Sequence, residues 1–204
     1  MAYGLLTDEM LAFLGPLVRW EHIWDLGAGD LGHAKALFNL GAAHITAIEP
    51  HLDPDRAKGK AGSYLTVVPE YFQDAVPLIG TRKLGPSPPH LALLAWPVQY
   101  FTPGILELLD AAPLVAYLGC NFNGTSCGSA SLFDHLRTRE LITYIQHPRN
   151  SLIVVGKELP HGVRRQPTLE ELAAYNPNHV VQVNAQNQVK FPRGWETEAR
   201  FWPR

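Results

Sequence analysis

Gly27-Ala28-Gly29-Asp30-Leu31-Gly32 is the part of this chain best suited to chemistry, because its glycines leave backbone N–H groups open to a close-fitting ligand. It follows the short apolar run His22-Ile23-Trp24-Asp25-Leu26. It precedes Leu31, Ala34, Leu37 and Phe38, which recur at helical spacing until Gly41 ends the run. Strand, glycine turn and helix in this order place the turn at the carboxyl end of a sheet strand, where open α/β sheets bind ligands.

Two ligand classes use such a turn. The run satisfies G-x-G-x-x-G, and Glu49 lies twenty residues beyond Gly29, so a nicotinamide or flavin dinucleotide is formally allowed. Charge argues the other way. Asp25 and Asp30 flank the turn and no lysine or arginine lies within it, so an incoming pyrophosphate would be repelled. Two like charges about 4 Å apart cost about 1 kcal/mol in water and about 4 kcal/mol at an effective dielectric of 20. A cationic ligand is favoured instead. S-adenosylmethionine carries an ammonium and a sulfonium, and Glu49 can accept hydrogen bonds from both hydroxyls of its ribose.

Ile23-Trp24-Asp25-Leu26-Gly27-Ala28-Gly29-Asp30 with Ala47-Ile48-Glu49-Pro50 resembles the first two cofactor motifs of class I S-adenosylmethionine-dependent methyltransferases. The resemblance covers about residues 20 to 158 and singles out no family within that superfamily. The third glycine usual in these motifs is replaced by Leu31, with Gly32 one position later. The resemblance implies a Rossmann-like, doubly wound, mainly parallel seven-stranded sheet with an antiparallel C-terminal hairpin. It also implies cofactor contacts from Asp25, Gly27, Ala28, Gly29, Glu49 and Pro50. An adenine contact would fall at Pro69-Glu70-Tyr71-Phe72, from Glu70 or Tyr71, where the plain alternative is that the aromatics only begin a helix and pack.

The same resemblance implies that the segment Ala95-Trp96-Pro97-Val98-Gln99-Tyr100 faces both methyl donor and acceptor, with Trp96 on the cofactor and Trp96, Pro97 and Tyr100 on the substrate. It is only loosely similar to the Asp/Asn-Pro-Pro-aromatic motif of methyltransferases acting on amino groups, because the Asp or Asn is missing. A side-chain carbonyl at that position would aim the amine lone pair at the methyl group. Without it, methylation of nucleic-acid amines loses support. The loop from Cys120 to Gly128, leaving a neighbouring strand, is expected to line the acceptor pocket. Neither cysteine has a readable base or positive charge beside it to activate a thiol. The nine histidines are scattered without an i, i+4 pair, so no metal site is expected, although His51 would sit near the ribose.

The elements that must position these residues alternate. A helix capped by Thr7 is expected to stop at Gly15-Pro16. Strands are expected over His22–Leu26, His44–Ile48, Tyr64–Val68, Leu91–Ala95 and Pro113–Leu118, and helices from Leu31, over Pro54 to Lys60, Glu70 to Leu78, Ile105 to Leu109 and Ser131 to Arg137. Leu141–Gln146 and Leu152–Val155 read as a closing hairpin. The boundary is placed so that 1–158 forms the cofactor domain and 159–204 a C-terminal extension packed on it. That extension has a capping box at Thr168-Leu169-Glu170-Glu171 and a second possible hairpin, Val180–Val183 with Val189–Phe191.

Composition agrees with a folded cytoplasmic protein: 204 residues, 46% hydrophobic and 18% charged, with two cysteines and no basic, apolar leader at Met1 to Leu14. No apolar window is long enough for a membrane span. The net charge of −2 excludes binding to duplex DNA dominated by counterion release. Residues 157–204 are slightly basic, with seven Lys/Arg against five Glu, and carry Trp195 and Trp202. A small molecule, a protein or a structured RNA therefore all remain open as methyl acceptor. The expected activity is methyl transfer. The rivals are a module that keeps the fold without turnover and an NAD(P)-dependent oxidoreductase.

Overall fold

Five-residue apolar runs bounded by turn residues are too short for helices and become strands buried on both faces. His22–Leu26 (β1), His44–Ile48 (β2), Leu65–Val68 (β3), Leu91–Ala95 (β4), Leu114–Gly119 (β5), Glu140–His147 (β6) and Asn150–Gly156 (β7) form one sheet in the order β3-β2-β1-β4-β5-β7-β6. The computed structural model describes residues 6–55, 62–98, 102–119, 128–136, 138–147 and 150–157, with the short strands Gln182–Val183 (β8) and Val189–Lys190 (β9). The first five strands of the large sheet run parallel, and β7 pairs antiparallel with both β5 and β6. This is the class I methyltransferase fold. The order reverses between β1 and β4, which opens a crevice at their carboxyl ends.

Helices cover both faces. Asp8–Val18 (α1) and Gly32–Asn39 (α2) bury Met10, Leu14, Leu17 and Leu37 against Ile23, Ile45 and Leu93. Phe72–Ala75 (α3), Ile105–Ala111 (α4) and Ala130–Leu136 (α5) bury Ala75, Leu108, Leu109 and Leu132 with Trp24, Leu26, Ile48 and Tyr117.

Two expectations need correction. The first helix does not stop at Gly15-Pro16 but runs through it to Val18. Proline disfavours a helical residue before it by striking that residue's Cβ, which glycine lacks. Burial of Leu14, Leu17 and Val18 repays the lost hydrogen bond. The helix expected over Glu70 to Leu78 is a single α-turn, Phe72–Ala75, followed by a tighter 3-10 turn, Val76–Leu78, that accommodates Pro77. β8 and β9 pair antiparallel, as the second hairpin requires. Residues 56–61, the boundary at 158, the capping box at Thr168 and the aromatics Trp195 and Trp202 lie outside the described residues.

Candidate functional site

Register brings the candidate residues to one level. Leu26 at the end of β1 is paired with Ile48 of β2 on one side and Leu94 of β4 on the other, so Gly27 and Glu49 leave the sheet beside Ala95, the last residue of β4. Gly27 N–H donates to the Ile48 carbonyl at 2.9 Å, and Trp96 N–H to the Leu118 carbonyl at 2.7 Å. The turn then lifts away from the sheet with Gly27 at φ 73° and Gly29 at φ 52°. Leu31 stands where the third glycine of the motif would, and it keeps the left-handed backbone glycine would favour, φ 69°. The strain costs about 1–2 kcal/mol in a non-glycine residue, and burial of the leucine against the core offsets it.

Between these strand ends lies a cavity of about 280 Å³. Gly27, Glu49 and Pro50 form one side, Tyr71 and Phe72 from the start of α3 another, and Trp96, Pro97 and Val98 with Thr102, Ile105, Ser129 and Leu132 the far wall. Glu49 contributes the sole charged side chain among these lining residues. Its carboxylate is braced at both oxygens, one accepting Gly29 N–H at 3.3 Å and the other His51 N–H at 3.1 Å. Each oxygen keeps a further acceptor site for a ligand. His51 also meets Tyr71 edge to face, with ring centroids 6.1 Å apart.

Trp96 holds the far wall in a backbone conformation bulky residues avoid, φ 52°, and packs against both core clusters. Gly128 N–H donates to the Pro97 carbonyl at 2.9 Å and so ties this segment to the start of α5. Ser129 caps that helix, accepting Leu132 N–H at 3.3 Å.

Asp25 stands apart. By strand alternation it shares the α1/α2 face with Ile23 rather than the face of Trp24 and Leu26, and it is fully buried behind the glycine turn, outside the cavity wall. Neither of its oxygens has a hydrogen-bond partner. Burial pushes its carboxyl up from 3.8 to about 6; His33 and the nearby Ala34 N–H pull it back down, and Glu49 and Asp30 push it further up. The Ala34 amide completes no hydrogen bond with it.

Of the residues singled out from sequence, Gly27, Glu49, Pro50, Tyr71, Trp96 and Pro97 meet around the cavity, and Ala28 and Gly29 belong to the turn beside it. Glu70 is exposed and outside the lining. Gln99, Tyr100 and residues 120–127, Cys120 and Cys127 among them, lie outside the described residues. Phe72, from the segment expected to meet the adenine, also lines the cavity, whereas sequence reasoning missed Thr102, Ile105, Ser129 and Leu132 as wall residues. The only available signal was their place in or beside the helices that follow β4 and β5. Among the described residues no cluster of His, Cys, Asp or Glu could hold a metal ion, and no helix is long and apolar enough to cross a membrane.

No protein-family model matches this sequence, and no curated protein matches it. Solved structures do resemble the fold. The 1,6-didemethyltoxoflavin-N1-methyltransferase of Burkholderia thailandensis, solved with 1,6-didemethyltoxoflavin and S-adenosylhomocysteine, superposes with a TM-score of 0.57 at 15% identity, over 74% of this chain and 78% of that one. A Listeria monocytogenes protein assigned as an S-adenosylmethionine-dependent methyltransferase gives 0.53 at 12% identity, over 74% and 97%. A Pyrococcus horikoshii protein assigned as an RNA methyltransferase gives 0.51 at 11% identity, over 74% and 84%. At these identities the likeness is one of fold.

Proposed function

We propose that the chain is an S-adenosylmethionine-dependent methyltransferase, with the cofactor seated in the cavity at the carboxyl ends of β1, β2 and β4. The observation that carries this is the Glu49 carboxylate, held by two backbone N–H groups beside the glycine turn with one acceptor site per oxygen left over. Two vicinal ribose hydroxyls are the partners such a group suits. Pro50 and Tyr71 flank the position of a base beyond that ribose, and Trp96 the position of the methyl-bearing sulfur. When bound, the cofactor supplies an electrophilic methyl group and its own leaving group.

The residues present fit that role better than they fit a dinucleotide. No cation lines the cavity among the described residues, and carboxylates at Asp25, Asp30 and Glu49 surround the turn, which disfavours a pyrophosphate. The acceptor would enter between Trp96-Pro97-Val98 and the start of α5. There the described wall offers apolar surface and the hydroxyls of Thr102 and Ser129, which suits an uncharged, flat acceptor that needs positioning more than deprotonation. Residues 159–204 are assigned as an extension of this domain. Strong sequence-independent binding to duplex DNA is not part of this function, and a cytoplasmic location is part of it.

Calorimetry with S-adenosylmethionine, S-adenosylhomocysteine and NADH tests the reading. The first two are expected to bind and NADH not to, and Glu49→Ala is expected to lose about 1.5–3 kcal/mol of cofactor affinity through its charge-assisted hydrogen bonds. Binding of NADH alone, or an unchanged affinity in the Glu49 variant, would overturn it. Trp96→Ala is expected to lower methyl transfer more than it lowers cofactor affinity, whereas equal losses would remove Trp96 from the acceptor wall.

A further inference from the structure

A carboxylate with no hydrogen bond is a rare thing to keep in a core, and Asp25 is fully buried with both oxygens unpartnered. The structure has isosteric ways to avoid it, since an asparagine or a leucine would occupy the same place behind the turn without the desolvated charge. The groups that face it are His33 from α2, Asp30 from the turn and Glu49 from the end of β2. Asp30 is exposed and Glu49 partly so, and solvent screens their fields. Asp25, fully buried behind the turn, is screened less than either, so its charge bears more strongly on whatever occupies the site beyond Gly27 and Gly29.

Resting on the cofactor reading above, we infer that Asp25 is the residue by which this site tells the cationic methyl donor from its neutral product. In methyl transfer the acceptor lone pair forms a bond to the methyl carbon while the carbon–sulfur bond breaks, and that bond's electron pair stays on sulfur. The sulfonium becomes a sulfide. Donor and product therefore differ by one methyl group and one positive charge, with the same amino, carboxylate and ribose groups. An ionised Asp25 attracts the donor more than the product, so it both favours loading and weakens retention of what remains after transfer. A protonated Asp25 makes no such distinction. Because burial raises this carboxyl to about 6, the distinction is switched on as pH rises through that value.

The test is calorimetric titration of the full chain with S-adenosylmethionine and with S-adenosylhomocysteine between pH 5 and pH 7.5. The ligands' α-amino group, somewhat more acidic in the donor because of the sulfonium, stays mainly protonated in both across this range. That ratio is expected to move in favour of the donor by about tenfold across the range, as expected for one added charge pair in partly screened protein. Asp25→Asn is expected to abolish the change, and His33→Gln, which removes the neighbouring imidazole as a source of the same signal, to retain it. A flat ratio in the wild type, a change that persists in Asp25→Asn, or one lost in His33→Gln would overturn the inference. Should the asparagine variant fail to fold, the wild-type and His33 series decide. If neither ligand binds at any pH, the cofactor reading itself fails; if both bind with a flat ratio, only the role of Asp25 does.

Discussion

The two ends of the same sheet treat buried polar groups in opposite ways. At the amino end, His22 opens β1 with its Nδ1–H donating to the Ser87 carbonyl at 2.6 Å, while Nε2 lies 2.8 Å from Thr46 Oγ1. Thr46 in turn reaches the Leu84 carbonyl at 3.0 Å, which Trp24 Nε1–H also approaches at 3.2 Å. Gly85 makes room for this cluster, since any Cβ there would collide with the His22 ring. Arg139, nearly buried, donates to the Leu109 and Ala112 carbonyls at 2.6 and 2.9 Å and pairs with Asp110 at 3.2 Å, closing the end of α4. At the carboxyl end stand Asp25 without a hydrogen bond, Leu31 and Trp96 in left-handed backbone, and a cavity. The amino end ties most of its buried polar groups into the fold, with Arg139 Nε left over, whereas the carboxyl end leaves a whole carboxylate without a hydrogen bond behind the glycine turn, and unsatisfied groups of this kind are where function is to be sought.

The largest break in this comparison is expected from Arg139→Met. It leaves the helix-end carbonyls without their donor and Asp110 without its nearest partner, for a loss of about 3 kcal/mol of stability in urea titration. Cofactor affinity should stay as it was. If it falls in step, the two ends are not independent.

Asp25→Asn is expected to act with the opposite sign. A folded-state carboxyl raised from 3.8 to about 6 contributes stability below pH 3.8 that is lost as pH rises through 6, so at pH 7.5 the penalty is complete, on the order of 3 kcal/mol. The asparagine should recover about 1–2 kcal/mol of it, since its amide is also buried, and the gain should shrink at pH 5. A variant that is less stable than wild type at pH 7.5 would show that the charge serves the fold.

His22→Gln should cost about 1–2 kcal/mol at pH 7.5 by loosening the Ser87 and Thr46 contacts. Burial holds the His22 imidazole below its usual 6.5, and it does the same for His44. Their contribution is therefore present above pH 6.5 and lost as pH falls through the lowered values. The glutamine variant should show a shallower acid slope than wild type, and an identical slope would remove His22 from that effect.

The smallest change is expected from Leu31→Gly. Relief of about 1–2 kcal/mol of backbone strain opposes about 2 kcal/mol of lost burial and the greater freedom of glycine in the unfolded chain, leaving a net loss of about 1 kcal/mol by thermal unfolding. A gain instead would mean that the strain at the turn outweighs the packing of the leucine.

Short apolar runs between turn residues determined β1, β2 and β4 to the residue, because burial on both faces leaves such runs no competing structure. The glycine turn, Glu49 twenty residues on and Trp96 after the fourth strand were likewise legible, since chain order and strand ends suffice to bring them to one edge. What local signals could not decide was which way a side chain faces and what lies against it. Gly15-Pro16 reads as a helix stop until the core that buries Leu14, Leu17 and Val18 is present to hold the helix together. Thr102, Ile105, Ser129 and Leu132 join the cavity only through helices packed from distant parts of the chain. Asp25 reads from the sequence only as a carboxylate beside the turn, and tertiary packing alone decides that alternation along β1 places it under α2, fully buried, where desolvation raises its carboxyl.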